Sequence, residues 1–458
     1  MHDSLCTGPL PRREFLRVGT LALGGLTLAD LLAARAMAGV GDPETSVILF
    51  WMWGGPSQLE TYDMKPDAPS AYRGPFNPIQ TKVPGMEIVE HFPRQAKIAD
   101  RFSIIRTLHH GMSAHNDGSI TVLSGKEPAA PDPTSTNKST HPDFGMIASY
   151  MRGSRSDGLP QYIGVHRSPF MTAPNYLGLM HKAFHSGDPT VKGYAPNNMK
   201  LAAGIDGQRL NDRRSLVTQF DQFRRDLDLD GSLGGTEDFR RAAFQMLTSS
   251  KVADAFDISQ EDESLRDRYG RHRWGQNCLL ARRLVEAGAA VINIDATAPS
   301  NKSEYFSWDD HAGPFHLVHA NLERFPQYDQ AISTLIEDIS ERNLDRKILV
   351  VACGEFGRTP RLSHRQTFPG KKGGPWLGRD HWPGAFSALI SGGGLKMGQV
   401  IGSTNSKAEY PLHDPVTPQD LLATIYRHLG IDYSHDLVNF SGRPVPILSS
   451  GRPISQLL

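Results

Sequence analysis

The chain has 458 residues, 49 basic and 49 acidic side chains and three cysteines. That length buries a core without crosslinks, which excludes a small disulfide scaffold, and the balanced charge offers no field for nucleic acid or an anionic membrane surface. A 39% apolar content marks a globular chain, while 44 glycines and 32 prolines promise the shaped loops on which sites are built.

Residues 1–38 read as a twin-arginine signal peptide. Arg12-Arg13 is followed by Phe15-Leu16, a weak apolar run from Val18 to Ala34, and small residues at Ala36 and Ala38 before Gly39. The other reading is an uncleaved anchor, but Asp30 and Arg35 interrupt the run and it is short for a span. Either way the body of the chain is expected outside the cytoplasm, periplasmic or extracellular. No later stretch reaches the ~18 apolar residues of a membrane span, so no integral membrane segment is expected in the mature chain. Loss of the leader removes four arginines and three acids, leaving 45 basic against 46 acidic side chains. Cys6 leaves with it, and Cys278 and Cys353 permit one disulfide without demanding it.

Six apolar, β-branched runs follow: Ser46 to Trp53, Phe102 to Leu108, Gln161 to Val165, Ala289 to Asp295, Lys347 to Cys353 and Ala385 to Ser391. They are near-continuous rather than alternating, the pattern of strands buried on both faces. Helical periodicity appears at Trp274 to Ala287, Phe325 to Asn343 and Pro418 to Leu429, the last with Thr417 as N-cap and Pro418 in first position. The alternation predicts an α/β layered fold around a mainly parallel sheet, with long Pro-, Gly- and Asn-rich loops and a charged helical insertion at 209–273.

Four groups of chemically active residues lie just beyond expected strands, where open α/β sheets bind ligands. The first is Gly54-Gly55-Pro56-Ser57: its amides and the Ser57 hydroxyl suit an anion, and equally suit a tight turn with Ser57 as a helix cap. The second gathers His109, His110, His115 and Asp117 within nine residues. Neutral imidazole and carboxylate together suit zinc or a similar ion, and His115 and Asp117 are the favoured ligands; any one histidine alone reads equally well as a hydrogen-bonded structural residue. The third is Trp308-Asp309-Asp310-His311, whose adjacent carboxylates repel unless a cation or an arginine balances them, or unless solvent covers them. The fourth pairs Gly354-Glu355-Phe356-Gly357-Arg358 with Gly378-Arg379-Asp380-His381-Trp382. Glu355 leaves a buried strand where a carboxylate has no packing role, and Arg358 suits either that carboxylate or a tetrahedral oxyanion. Asp380-His381 is a ligand or acid/base pair, with Trp382 shielding it from water. The chain has no Walker loop, GxGxxG, HExxH, GxSxG or CxxC, so nucleotide, zincin and serine-hydrolase readings lack their signals.

Taken together, Arg12-Arg13, Gly54-Gly55-Pro56-Ser57 with Asp63-Met64-Lys65-Pro66, Trp308-Asp309-Asp310-His311, Gly354 to Pro360 and Gly378 to Pro383 resemble a large bacterial family. It is the domain-of-unknown-function family one-five-zero-one, whose members are labelled sulfatase-like. The resemblance implies the alkaline phosphatase and sulfatase superfamily. From it follow a three-layer α/β sandwich, one domain over residues 39–458, and divalent metals at the carboxyl edge of the sheet. The chain departs from that pattern at three places. Trp53-Gly54-Gly55 stands where the superfamily has a metal-binding Asp after the first strand. His115-Asn116-Asp117 precedes Ser124-Gly125-Lys126, where sulfatases carry a matured Cys or Ser. Glu355 replaces an Asp-His pair, while Asp380-His381 resembles the last His ligand. Cys278 with Arg282 has the spacing of the sulfatase motif but sits in an amphipathic helix and reads as core.

These features imply an exported metal-dependent hydrolase of sulfate or phosphate esters, on an anionic ester or glycan substrate; a mutase or phosphonate hydrolase of the superfamily is implied as well. One or two divalent ions, Zn, Mn or Ca, would be held by three or four of His115, Asp117, Asp309, His311, Glu355, Asp380 and His381. Arg358 would hold the anion opposite Ser57 and the amides of Gly54 and Gly55, and Asp310 would orient a ligand histidine. The missing first-strand Asp and nucleophile imply the competing class, a non-catalytic binding protein of an exported glycan-handling or cell-surface assembly.

Overall fold

The computed structural model describes residues 44–196, 241, 243–312, 315–365 and 376–458. The expected leader at 1–38 and residues 209–240 and 242 of the expected insertion lie outside the described residues.

Eight strands form the central sheet: β1 (Ser46–Trp51), β2 (Phe102–Leu108), β3 (Tyr162–Val165), β4 (Phe184–Gly187), β5 (Val291–Asp295), β6 (Ile348–Cys353), β7 (Phe386–Gly392) and β8 (Val400–Ile401). Their spatial order is β8-β2-β7-β6-β1-β5-β3-β4. Every pairing is parallel except the two made by β7, which runs against both β2 and β6. The six expected runs form strands with ends shifted by up to two residues. The edge strands β4 and β8 escape the sequence because Phe-His-Ser-Gly and a two-residue bridge carry no apolar run.

Helices cover both faces: α1 (His115–Ser124) and α2 (Phe144–Arg152) on one, α3 (Arg273–Glu286) and α4 (Leu317–Glu341) on the other, with α5 (Pro418–Leu429) joining the first pair. The pleat decides the assignment. Ile48 and Phe50 of β1 face one way and pack with Cys278, Leu279, Ile332 and Leu335; Val47, Leu49 and Trp51 face the other and pack with Val122, Ile147, Leu422 and Ile425. Each such fully buried aliphatic side chain contributes about 1.5–3 kcal/mol of transfer free energy. The result is a three-layer α/β sandwich around a mostly parallel sheet.

Helix α5 ends as its sequence dictates, with a Thr417–Asp420 capping box and Gly430 in the left-handed region. Helix α4 begins at Leu317, two turns before the apolar periodicity starts, because those turns bury Asn321 and Arg324 instead of an apolar stripe. Cys278 and Cys353 are both free and buried. Burial pushes the Cys353 thiol up to about 12, so neither it nor the core residue Cys278 is a ready nucleophile. Arg282, one turn from Cys278, is spent on Glu261, Glu286 and Asp338. Among the described residues no helix is long and apolar enough to cross a membrane.

Candidate metal centre

Because β7 is antiparallel, the chain that enters it arrives at the edge where its neighbours end. Four strand exits and one strand approach therefore meet: Gly54-Gly55 after β1, His115 after β2, Asp309 and His311 after β5, Glu355 after β6, and Asp380-His381 before β7. The loop after β5 is fixed by Trp308, which stacks on Trp274 at 5.5 Å and donates its Nε1–H to the Ala296 carbonyl at 2.8 Å. His381–Trp382 pairs with Gly357–Arg358 as a short antiparallel ribbon, with His381 opposite Arg358.

Asp309 lies at the middle of the cluster. Its Oδ2 is 3.3 Å from His115 Nε2, and its Oδ1 is 3.1 Å from His381 Nε2 and 3.0 Å from His311 Nε2. Each imidazole is held from behind. His115 Nδ1–H donates to Glu355 Oε1 at 2.6 Å, His311 Nδ1–H to Asp380 Oδ1 at 2.7 Å, and His381 Nδ1–H to the Ser113 carbonyl at 2.7 Å. These acceptors assign the hydrogen to Nδ1 in all three rings, so in the neutral form every Nε2 lone pair points inward. Two of those lone pairs, on His311 and His381, stand 3.0 Å apart. That approach is repulsive unless a proton or a metal ion lies between the two nitrogens.

The electrostatics point the same way. Burial by itself would lower the His115 pKa, yet the hydrogen bonds and charges of Asp309 and Glu355 raise it to about 9. Burial would raise Asp309, but His115, His311, His381 and Arg358 hold it far below the usual carboxylate range. Burial lowers His381 despite its contact with Asp309. Asp309 and Glu355 thus favour positive charge, as a proton or a metal ion, at His115, while burial and the neighbouring Arg358 and His115 oppose it at His381. A ring nitrogen of His115, one of His381 and an oxygen of Asp309 all lie within 4.8 Å of one another, a span that a single ion bridges.

The structure brings together His115, Asp309, His311 and His381. It sets Glu355 and Asp380 one step back, as the groups that orient His115 and His311; the sequence had placed them among the ligands. Five other expectations need correction. Asp117 faces away: its oxygens accept from the Asp132 amide and the Asn137 side chain, both at 2.7 Å. On a helix, positions two apart do not share a face, so α1 cannot aim His115 and Asp117 together. Asp310 does not orient a histidine; it is buried against Arg324, at 2.5 and 2.6 Å. Arg358 is fully buried and donates to Asp309 Oδ1 at 2.6 Å, to the carbonyls of Gly54 and Gly55, and to that of Arg379, so it anchors the cluster and is not free for an anion. Ser57 is 4% exposed, and its hydroxyl makes no hydrogen bond to the cluster. Trp382 turns to Tyr410 and the Glu409 carbonyl; the ring that covers the imidazoles is Phe356, 4.5 Å from His381 and 5.2 Å from His115.

Sequence reasoning missed Arg324, the Ser113 carbonyl, and the buried Glu60 that pairs with Arg379. A lone acid or a backbone oxygen gives no motif signal. It also missed why the β1 exit needs glycine. Gly54 has φ of +108°, and a Cβ there would lie 2.6 Å from the Asp309 amide nitrogen. Gly54→Ala is expected to push Asp309 out of the cluster, lower stability by about 1–3 kcal/mol and reduce metal content, read by urea unfolding and elemental analysis. Wild-type values for both would show the turn to be slack.

Residues 44–458 match the model of a family described as a protein of unknown function, DUF1501. No curated protein matches the chain significantly. Solved structures with similarity include the lipoteichoic acid synthase LtaP from Listeria monocytogenes, 9% identical, covering 90% of this chain and 76% of that one at a TM-score of 0.37. The phosphonate monoester hydrolase SpPMH from Silicibacter pomeroyi is 10% identical, covering 86% and 75% at 0.36. The PsFucS1 sulfatase from Pseudoalteromonas sp. is 12% identical, covering 92% and 72% at 0.33.

Proposed function

We propose that this chain, which belongs to the DUF1501 family over residues 44–458, is an exported metal-dependent hydrolase of sulfate or phosphate esters. The observation that carries the proposal is the convergence of three inward Nε2 atoms and one carboxylate, each imidazole fixed at Nδ1 by its own acceptor. His115, His311, His381 and Asp309 would hold the ion. Three imidazoles and one carboxylate suit zinc or a similar transition ion; calcium prefers all-oxygen ligands. A divalent ion so held supplies Lewis acidity to an ester oxygen or a water that reaches it.

The protein's own groups do the rest. Glu355, Asp380 and the Ser113 carbonyl keep the hydrogens on Nδ1, so Nε2 stays a lone-pair donor. Arg358 holds Asp309 in place, and Phe356 keeps bulk water from one side of the imidazoles. Asp309, His311 and His381 each keep 21–24% of their side chains exposed, so a substrate can reach them. Among the described residues no Ser, Thr or Cys side chain hydrogen-bonds to the three imidazoles or to the Asp309 carboxylate, and Ser307 Oγ only accepts from the Asp309 amide, so water is the attacking group in this reading. Export rests on the Arg12-Arg13 leader.

The lack, among the described residues, of a side-chain nucleophile on the cluster, with Arg358 already spent, favours one second reading: a metal-binding but non-catalytic member of an exported glycan-handling or cell-surface assembly. One preparation separates the two. Protein purified without chelator should carry about one transition metal per chain and turn over an aryl phosphate or aryl sulfate, with His381→Ala losing at least ~100-fold. Bound metal with no turnover of either ester selects the binding protein. Protein that neither carries nor accepts metal overturns both.

A further inference from the structure

Beside the cluster lies a surface that the chemistry above does not use. Trp53 leaves β1 with its ring 4.9 Å from that of His115, and Phe170, in the loop after β3, stands 6.1 Å from Trp53, edge to face. Phe170 is 59% exposed, yet it is not loose. Lys138 Nζ sits 4.7 Å over its ring and donates to its carbonyl at 2.9 Å. The loops that carry these residues are tied to the helix that presents His115: the Asn116 side-chain Nδ2–H donates to the Asn137 carbonyl at 2.8 Å, and the Ser139 backbone amide to the Met171 carbonyl at 2.9 Å. A rigid aromatic face is therefore mounted one ring away from the cluster.

One cation lies directly on it. The segment 128–142 sets Lys138 against a single acid, Asp132. The oxygens of Asp132 are already taken by Thr134, Thr136 and Asn137. Lys138 spends one of its three donors on the Phe170 carbonyl and keeps two. An apolar ligand would call for an enclosed slot; a solvent-open ring beside free ammonium donors suits a ligand with an apolar face and polar, charged edges.

We infer that Phe170, Trp53 and Lys138 form a subsite for the organic part of the ester, and that this part is a sugar ring carrying a further anionic substituent. The ring's C–H face lies on Phe170, and the extra sulfate or carboxylate meets Lys138. The position of the ester itself rests on the hydrolase reading; the subsite does not.

Calorimetric titration with a sulfated hexasaccharide of heparin type tests the assignment. Wild-type protein should bind it, Phe170→Ala about tenfold more weakly, and Lys138→Gln several-fold more weakly with a shallower salt dependence. Cellohexaose, neutral and of equal length, should bind more weakly than the sulfated probe. Both substitutions lie at exposed positions, and unchanged melting checks that the fold is kept. Wild-type protein that fails to bind the sulfated probe, variants that bind it as wild type does, or cellohexaose that binds equally well would each overturn the inference. Turnover of an aryl ester by wild-type protein reports the hydrolase reading separately, so failure of one leaves the other standing.

Discussion

Asp309→Ala should leave the protein without metal and destabilise it even in the presence of chelator. The two effects have different origins. Three imidazole Nε2 atoms converge on one carboxylate, so its removal takes away the only anionic member of the group, and metal affinity should fall at least ~100-fold. The stability loss comes from the other side of the residue. Arg358 is fully buried, and among the described residues Asp309 Oδ1 is its only carboxylate partner, at 2.6 Å; the other bonds of its guanidinium go to backbone carbonyls. Breaking a buried pair by deleting one member leaves an uncompensated charge and costs about 3–5 kcal/mol. Asp309→Asn separates the contributions. Its amide oxygen can still accept from Arg358, so stability should partly recover while metal does not return. Elemental analysis and urea unfolding in chelator read the two quantities. Wild-type metal content in the alanine variant would remove Asp309 from the centre of the site.

The sequence shows where the site is better than it shows who does what in it. Strands β1, β2, β5, β6 and β7 are legible because both of their faces are buried, and the chemically active groups are legible because carboxylates and imidazoles have no packing reason to stand at strand ends. Roles within the site depend on direction, and residue type does not encode direction. Asp309 and Asp310 are neighbours, yet one meets the imidazoles and the other Arg324. Glu355 looks like a ligand until the Gly54 amide and His115 Nδ1–H are both found on its Oε1, at 2.8 and 2.6 Å. Asp380 becomes an orienting group because the ribbon register that puts His381 opposite Arg358 leaves Asp380 beside His311 Nδ1. The antiparallel course of β7, which brings Asp380-His381 to the rim at all, has no signature in a seven-residue apolar run.

That rim is held by a second buried pair, and Arg379→Met should damage it most. Arg379 and Glu60 are both fully buried. The guanidinium spends all five hydrogens. Nε–H meets the Glu60 carboxylate at 2.9 and 3.0 Å, Nη2 donates to Glu60 Oε1 at 2.7 Å and to the Tyr72 carbonyl at 2.8 Å, and Nη1 donates to the carbonyls of Thr359 and Pro360. Deleting it strands a carboxylate and three carbonyls in the interior, a loss of about 3–5 kcal/mol against a typical total of about 5–15. The damage should reach the chemistry through the backbone. Arg379 precedes Asp380, whose amide donates to Thr359 Oγ1 at 2.9 Å and whose carbonyl accepts from the Thr359 amide at 2.8 Å, so loosening this corner frees both Asp380 and His381. The double variant Glu60→Leu with Arg379→Met removes both charges. It should be more stable than Arg379→Met alone, because the cost of that variant is dominated by the acid left behind. Urea unfolding of the single and double variants, with metal content on the same samples, decides the matter. A single variant that loses less than about 1 kcal/mol would mean that solvent reaches Glu60 and that the corner is held by something other than this pair.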